Sequence, residues 1–342
     1  MDGTNDGTAT LSSTAWSGSA AARASITAKP SAPRLSGLDG LRAIAVVGVL
    51  LYHAGVTWLP GGFLGVDLFF VISGFLITWL LIGERQRHGR IRLGRFYLRR
   101  ARRLLPALAT MMVTTTIFMG LFYRSDLDEA RGDIGAAAGY FSNWWYILHH
   151  RSYFVAAGRQ PPFLHLWSLA VEEQFYIIWP LVLIIFLLAR ARLRWVFAVA
   201  MTGAVASAWW MRVIAVNGNV PFDTDSSRVY FGTDTHASAL LLGAAGAALM
   251  TGLARRRGRV SGGEVSPLTT VFADLLGLGS LAAVAYAMHR VTEWNPRLYH
   301  GGFFVFAAAT LLVVVTVSLP GSLFGAALDN PLMRWIGTRS YG

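Results

Sequence analysis

No cysteine occurs in the 342 residues. A disulfide framework, a thiol nucleophile and a thiolate metal site are therefore excluded. The zinc-binding spacing His-Glu-x-x-His is missing as well. Charge is scarce: only 14% of residues are charged, with 18 acidic side chains against 30 basic ones. At 54% hydrophobic residues and a mean hydropathy of +0.47, the chain has more long apolar runs than a water-soluble core can absorb. It reads as an integral membrane protein. The net charge of +12 would suggest nucleic acid in a soluble protein. Here the basic residues are almost all Arg in short segments between apolar runs, a pattern that sets membrane topology, so nucleic acid is rejected. Residues 1–35 are rich in Ser, Thr, Ala and Gly and lack the continuous hydrophobic stretch of a signal peptide. They are expected to form a disordered cytoplasmic tail ahead of a transmembrane domain over residues 36–342.

Beyond that tail the chain is a series of apolar runs, each long enough to cross about 30 Å of hydrocarbon. They fall at 41–58, 64–83, 104–123, 165–189, 195–216, 236–253, 268–289 and 301–320. The expected fold is an all-α, polytopic transmembrane helix bundle of about eight spans. Lys and Arg accumulate on the cytoplasmic side of membranes. Lys29, Arg34 and Arg42 precede the first run, nine Arg lie between Glu84 and Arg103, and further groups follow the fourth run (Arg190, Arg192, Arg194) and the sixth (Arg255, Arg256, Arg257, Arg259). The alternate loops are richer in acid, and that from Arg124 to Leu164 carries Trp144, Trp145 and Tyr146, residues suited to an interface. Both termini are thus expected in the cytoplasm.

Arg42 and His53 fall on one expected span. Eleven steps of about 100° bring the two side chains to nearly the same face, about 16 Å apart along the axis. Ionisable groups within a bilayer are costly and usually face a protein interior or a wet cavity. This pair reads as the start of an active site, with the alternative that His53 is a structural residue bonded to a neighbouring helix. Asp67 follows after the short Leu59–Gly62 turn, which can lift it to the level of His53. There it either steadies the imidazole or caps its own helix. Arg92, Arg95, Arg99, Arg102 and Arg103 share one helical face. Like charges at this spacing destabilise a helix by a few tenths of a kcal/mol per pair. An anion would offset them, whether a phosphate-bearing ligand held by the two-pronged Arg donor or lipid headgroups. Topology alone also accounts for arginine here. Glu172 and Glu173 lie near the outer start of the fourth run, where a carboxylate gains from the helix dipole. They could instead bind an acceptor or join a structural network, as could His165, Asp234 and His236. Trp167 reads as an interfacial anchor.

Three runs carry a family resemblance. Gly37-Leu-Asp-Gly-Leu-Arg42-Ala-Ile-Ala, followed by His53 and by Gly61-Gly-Phe-Leu-Gly-Val-Asp67-Leu-Phe-Phe-Val-Ile-Ser73-Gly-Phe-Leu-Ile77, resembles the first signature of the acyltransferase 3 family. Phe96-Tyr97-Leu98-Arg99-Arg100-Ala-Arg102-Arg103-Leu-Leu-Pro106 and His165-Leu-Trp167-Ser168-Leu-Ala-Val-Glu172-Glu173-Gln174-Phe175-Tyr176 resemble its second and third. Beyond residue 180 the likeness is confined to hydropathy and Gly232-Thr-Asp234-Thr-His236.

The resemblance implies a multi-pass inner-membrane enzyme that moves an acyl group from cytoplasmic acyl-CoA, its co-substrate, to a hydroxyl of an envelope or exported glycan or glycolipid. No permanently bound cofactor and no metal are implied. It places Arg42, Arg99, Arg100, Arg102 and Arg103 with the donor. Acyl transfer needs a base for the hydroxyl proton, and an imidazole suits that task at neutral pH. His53 is then the base with Asp67 behind it, or is itself acylated before discharging to the acceptor. A transporter or flippase is the alternative from another class, although no internal repeat of the kind such proteins show is found. A regulatory subunit without activity is a third reading. Family members usually have ten spans, and Trp335 to Gly342 reads as the lead-in to a ninth. The sequence is therefore expected either to continue past Gly342, with room for a fused or separate extracytoplasmic partner domain, or to belong to a shortened member.

Overall fold

The computed structural model describes Gly3, Leu35 and residues 37–154, 160–189, 192–260 and 266–340. Apart from Gly3 and Leu35 the expected tail, together with Arg190, lies outside the described residues. Among the described residues every regular element is helical. Residues 36–342 form one compact unit.

Helix α1 (Leu38–His53) opens after Gly37, whose φ of 78° is left-handed, and ends at His53, five residues before the end of the expected run. Gly55 takes φ 72°, and Ala54 and Gly55 donate to the carbonyls of Leu50 and Tyr52. That is the glycine termination of a helix, and the sequence Ala54-Gly55 supplies it. With 16 residues α1 is about 24 Å long, so His53 stands at a helix end and not within a span as expected. A single turn (Gly62–Leu64) leads into α2 (Gly65–His88). Helix α3 (Leu93–Phe122) starts eleven residues before its expected apolar run, because the arginine segment is continuous with it. Short helices α4 (Leu127–Ala138) and α5 (Ser142–Leu148) follow. Next come α6 (Leu166–Leu188), α7 (Leu193–Asn217), α8 (Ser227–Phe231), α9 (Thr233–Val260) and α10 (Pro267–Arg290). A π turn (Leu298–Gly302) precedes α11 (Phe303–Val317), α12 (Leu323–Leu328) and α13 (Pro331–Arg339).

Seven of these segments are long and apolar enough to cross a membrane: α2, α3, α6, α7, α9, α10 and α11 with its π turn. On α3 the exposed side chains include Val113, Ile117, Phe118, Leu121 and Phe122. Apolar groups in that position suit lipid contact, since a soluble protein would place polar ones there. Helix α9 packs against α7 and α2, and α1 packs against α2 and α13. Small residues permit the α2–α9 approach: a Cβ on Gly74 would collide with the Leu240 carbonyl oxygen, and one on Gly243 with that of Val71. Gly74→Ala is accordingly expected to lower stability by about 1–3 kcal/mol, read as an earlier thermal transition of the detergent-solubilised protein. An unchanged transition would mean that the two helices separate freely.

Candidate active site

Two cavities meet at Arg100. The first, with a volume of about 490 Å³, is lined by Arg87, Arg92, Arg95, Arg99, Arg100 and Arg103, with Glu84 the one acid on its wall. The second, about 410 Å³, lies beside α1 among α2, α3 and α6. Its wall is apolar at Val46, Val49, Val66, Phe69, Phe70, Leu104, Leu108 and Met111, polar at Arg100, Ser73 and Glu172, and polar again at His165 and Ser168. The arginine face inferred from spacing thus forms much of the wall of a chamber, which Arg100 joins. Arg102 does not line it, and Arg87 does.

At the junction, Arg100 is clamped. Its Nε and Nη2 lie 2.7 and 2.6 Å from Glu173 Oε1, and Nη2 lies 3.8 Å from Glu172 Oε1. The guanidinium sits 3.5 Å above the centre of the Tyr176 ring, a favourable cation–π position. Glu172 also accepts hydrogen bonds from Ser73 and, at 2.6 Å, from the Tyr176 hydroxyl. The two glutamates lie in the second turn of α6, held by charge partners from α3 rather than by the dipole at the helix start. Buried Arg42 lies 3.3 Å from Asp39 and within electrostatic reach of Glu172, Tyr176 and Arg103. Of the positive groups assigned to a donor, Arg99, Arg100 and Arg103 line the chamber, Arg100 alone reaches the second cavity, and Arg42 and Arg102 line neither.

His53 itself lines neither cavity. Its ring is exposed, with Nδ1 2.8 Å from the Val49 carbonyl oxygen and Nε2 3.2 Å from the Tyr153 hydroxyl. The backbone carbonyl one turn back fixes the tautomer with the proton on Nδ1, leaving Nε2 as the acceptor. Val49 lines the second cavity, and so does His165, the residue just before α6. One edge of the His165 ring lies open, while the protein packed around the rest lowers its affinity for a proton. A hydrogen bond to the Pro162 backbone opposes that shift and the nearby charge of His53 adds to it.

Asp67 does not steady His53. It points into the bundle, 1% exposed, with Oδ1 3.2 Å from Nε2 of the equally buried His236. The α2 face that carries Asp67 packs on α9, and both ring nitrogens of His53 are already occupied. His236 is surrounded edge-on by Phe70, Trp167, Tyr230 and Phe303, with ring centroids 5.0–5.9 Å away. Trp167 is consequently no interfacial anchor. It is 1% exposed and part of this aromatic wall. Asp234 is held by Arg228 at 2.7 and 3.1 Å and by Trp210 Nε1 at 2.8 Å, so both of its oxygens are taken by a local clamp. Among the described residues no group of three or more His, Asp or Glu side chains could hold a metal ion.

Residues 35–342 match the family model described as the acyltransferase domain. The chain belongs to this acyltransferase family. Among its relatives, the peptidoglycan O-acetyltransferase OatA of Listeria monocytogenes is 38% identical over 309 residues, covering 89% of this chain and 47% of that protein. The O-acetyltransferase OatA of Staphylococcus aureus is 40% identical over 308 residues, 90% of this chain and 49% of its own length. The putative peptidoglycan O-acetyltransferase YrhL of Bacillus subtilis is 38% identical over 311 residues, 90% and 47%. The chain therefore spans about half the length of the curated relatives it matches. No solved structure matches it.

Within this acyltransferase domain, sequence reasoning missed Tyr153. It lies in a loop with no periodicity to mark it and meets His53 only because the chain folds back over α1. Its ring packs on those of Phe154 and Tyr230, and burial raises the phenol above the usual tyrosine range. Tyr153 therefore keeps its proton at neutral pH and is the hydroxyl donor facing His53 Nε2. The signal available beforehand was the aromatic pair Tyr153-Phe154 directly after the polar run His149-His150-Arg151-Ser152.

Proposed function

We propose that the protein is a membrane O-acyltransferase that takes an acyl group from cytoplasmic acyl-CoA and places it on a hydroxyl of an envelope glycan, with His53 as general base. The observation that carries this reading is the cavity beside α1, which has the arginine chamber at one end and the neighbours of His53 at the other. By the arginine bias the chamber end faces the cytoplasm. Coenzyme A phosphates suit that chamber because Arg presents a planar pair of donors to each phosphate. The acyl arm then extends along the apolar wall. The acceptor hydroxyl arrives at the His53 end and takes the place of the Tyr153 hydroxyl at Nε2; its oxygen attacks the thioester carbon and its proton passes to that nitrogen. The C–S bond breaks as the ester C–O bond forms, and the departing sulfur recovers the proton. The names of the relatives favour acetyl as the acyl group and peptidoglycan as the acceptor. Their greater length favours an extracytoplasmic partner domain, fused or separate.

The decisive experiment is acetyl transfer from radiolabelled acetyl-CoA to a peptidoglycan fragment by the purified protein in lipid vesicles. Labelled ester on the glycan is expected. Movement of an acyl-bearing lipid across the vesicle without ester formation would instead make the protein a flippase. Arg95→Ala combined with Arg99→Ala is expected to raise the KM for acetyl-CoA at least about tenfold, since each charge-assisted hydrogen bond is worth about 1.5–3 kcal/mol. kcat should stay near the parent value and the effect should shrink in high salt. A loss confined to kcat would remove the chamber from donor binding.

A further inference from the structure

Arg100 is the single residue that lines both cavities. It could face the chamber as its neighbours Arg95, Arg99 and Arg103 do, but it is drawn inward onto Glu173 and Glu172 and laid over Tyr176. The clamp ties three helices together: Arg100 belongs to α3, the glutamates and Tyr176 to α6, and Ser73, which also bonds Glu172, to α2. A second tie runs alongside, from the Tyr97 hydroxyl to the Tyr176 carbonyl oxygen at 3.2 Å. A cation held by two carboxylates in a half-buried site stays there unless a comparable anion is offered, because leaving either glutamate without its partner is costly. Phosphate is such an anion, and the chamber beside Arg100 is built of arginine.

We propose that Arg100 closes the cavity beside α1 and is withdrawn from Glu173 by phosphate entering the arginine chamber, so that only a phosphate-bearing thioester opens its own path. This rests on the chamber's holding the donor and adds a specificity rule to that role. Phosphate far from the reacting carbon supplies energy for opening, and a thioester without phosphates loses turnover and not merely affinity. A ligand shifts the balance between closed and open forms only by as much as its affinity for them differs. Phosphate meets that requirement, because withdrawn Arg100 gains a new partner in the open form alone.

The absence of cysteine makes the test direct. Ala107, on the apolar wall of the second cavity, is changed to cysteine in the full chain. The protein is reconstituted with its arginine end outward, and labelling by a membrane-impermeant thiosulfonate is timed with and without ADP. ADP carries phosphates and has no thioester arm to shield the cavity. Labelling is expected to be slow alone and roughly tenfold faster with saturating ADP, the change that about 1.4 kcal/mol of differential binding produces. Adding Glu173→Gln, or separately Arg100→Gln, should give fast labelling without ADP, and Arg100→Gln should abolish the response to ADP. Two variants acting from opposite sides of the clamp guard against misfolding of either, which gel filtration detects. Parent labelling indifferent to ADP, or folded variants that label as slowly as the parent, overturns the proposal. Acetyl transfer measured in the same vesicles separates the two readings: transfer with unresponsive labelling sinks the closure alone, and responsive labelling without transfer sinks the enzymatic reading alone.

Discussion

His53→Ala is expected to lower acetyl transfer by about 10²–10⁴-fold, the range contributed by a positioned general base. The site gives reasons to expect the upper part of that range. Nδ1 is tied to the Val49 carbonyl oxygen, so the imidazole presents one tautomer with Nε2 as the accepting nitrogen. Water at the open mouth is a poor substitute, since it is neither held in place nor basic enough to take the proton at neutral pH. Donor binding should survive the substitution, because His53 is not among the residues that line the arginine chamber. The measurement is kcat and KM for acetyl-CoA in vesicles: a collapse of kcat with unchanged KM supports the base. Transfer at the parent rate would remove His53 from the chemistry. Tyr153→Phe separates positioning from proton transfer. The ring packing on Phe154 and Tyr230 is retained while the hydroxyl at Nε2 is lost, so a smaller fall with a shifted pH profile is expected.

The second large effect concerns a pair that does no chemistry in this reading. His236→Leu should destabilise the protein by about 3–5 kcal/mol, because it strips the Asp67 carboxylate of its partner in a site closed to water. Asp67 Oδ2 already has no hydrogen-bond partner, so the carboxylate has nowhere else to turn. Removing both groups by Asp67→Leu with His236→Leu should restore much of the loss, because neither polar side chain is then left without its partner in the apolar interior. Thermal transitions of the solubilised variants decide the matter. Equal stability of His236→Leu and parent would show that the pair contributes nothing to the fold, while a double variant that is stable yet inactive would return Asp67 to the active site.

Much of the architecture was open to inspection in the residues themselves. Apolar runs located the seven helices that are long and apolar enough to cross a bilayer among the described residues, and the arginine spacing from Arg92 to Arg103 announced a cationic helix face. The Arg42–His53 spacing placed two ionisable groups near opposite ends of one helix, and three ordered motifs identified the family. The first run misled because hydropathy continues past His53 while the backbone does not. Gly55 ends the helix, and the apolar residues beyond it belong to a turn packed at the end of α10, where the Trp58 carbonyl oxygen meets His289.

Composition, periodicity and motif order by themselves determined that this chain is a helical membrane protein of the acyltransferase family with cationic segments between its spans. Tertiary structure alone decided the partnerships. Asp67 belongs to His236 and not to His53, Arg100 to Glu173, His53 to Tyr153, and Trp167 to a buried aromatic wall. The physical reason is that a helical repeat reveals which residues share a face of one helix. Which neighbour that face meets, and at what height, depends on how separate helices rotate and slide against each other. Those two quantities are set by contacts such as Gly74 on Leu240, between residues remote in the chain.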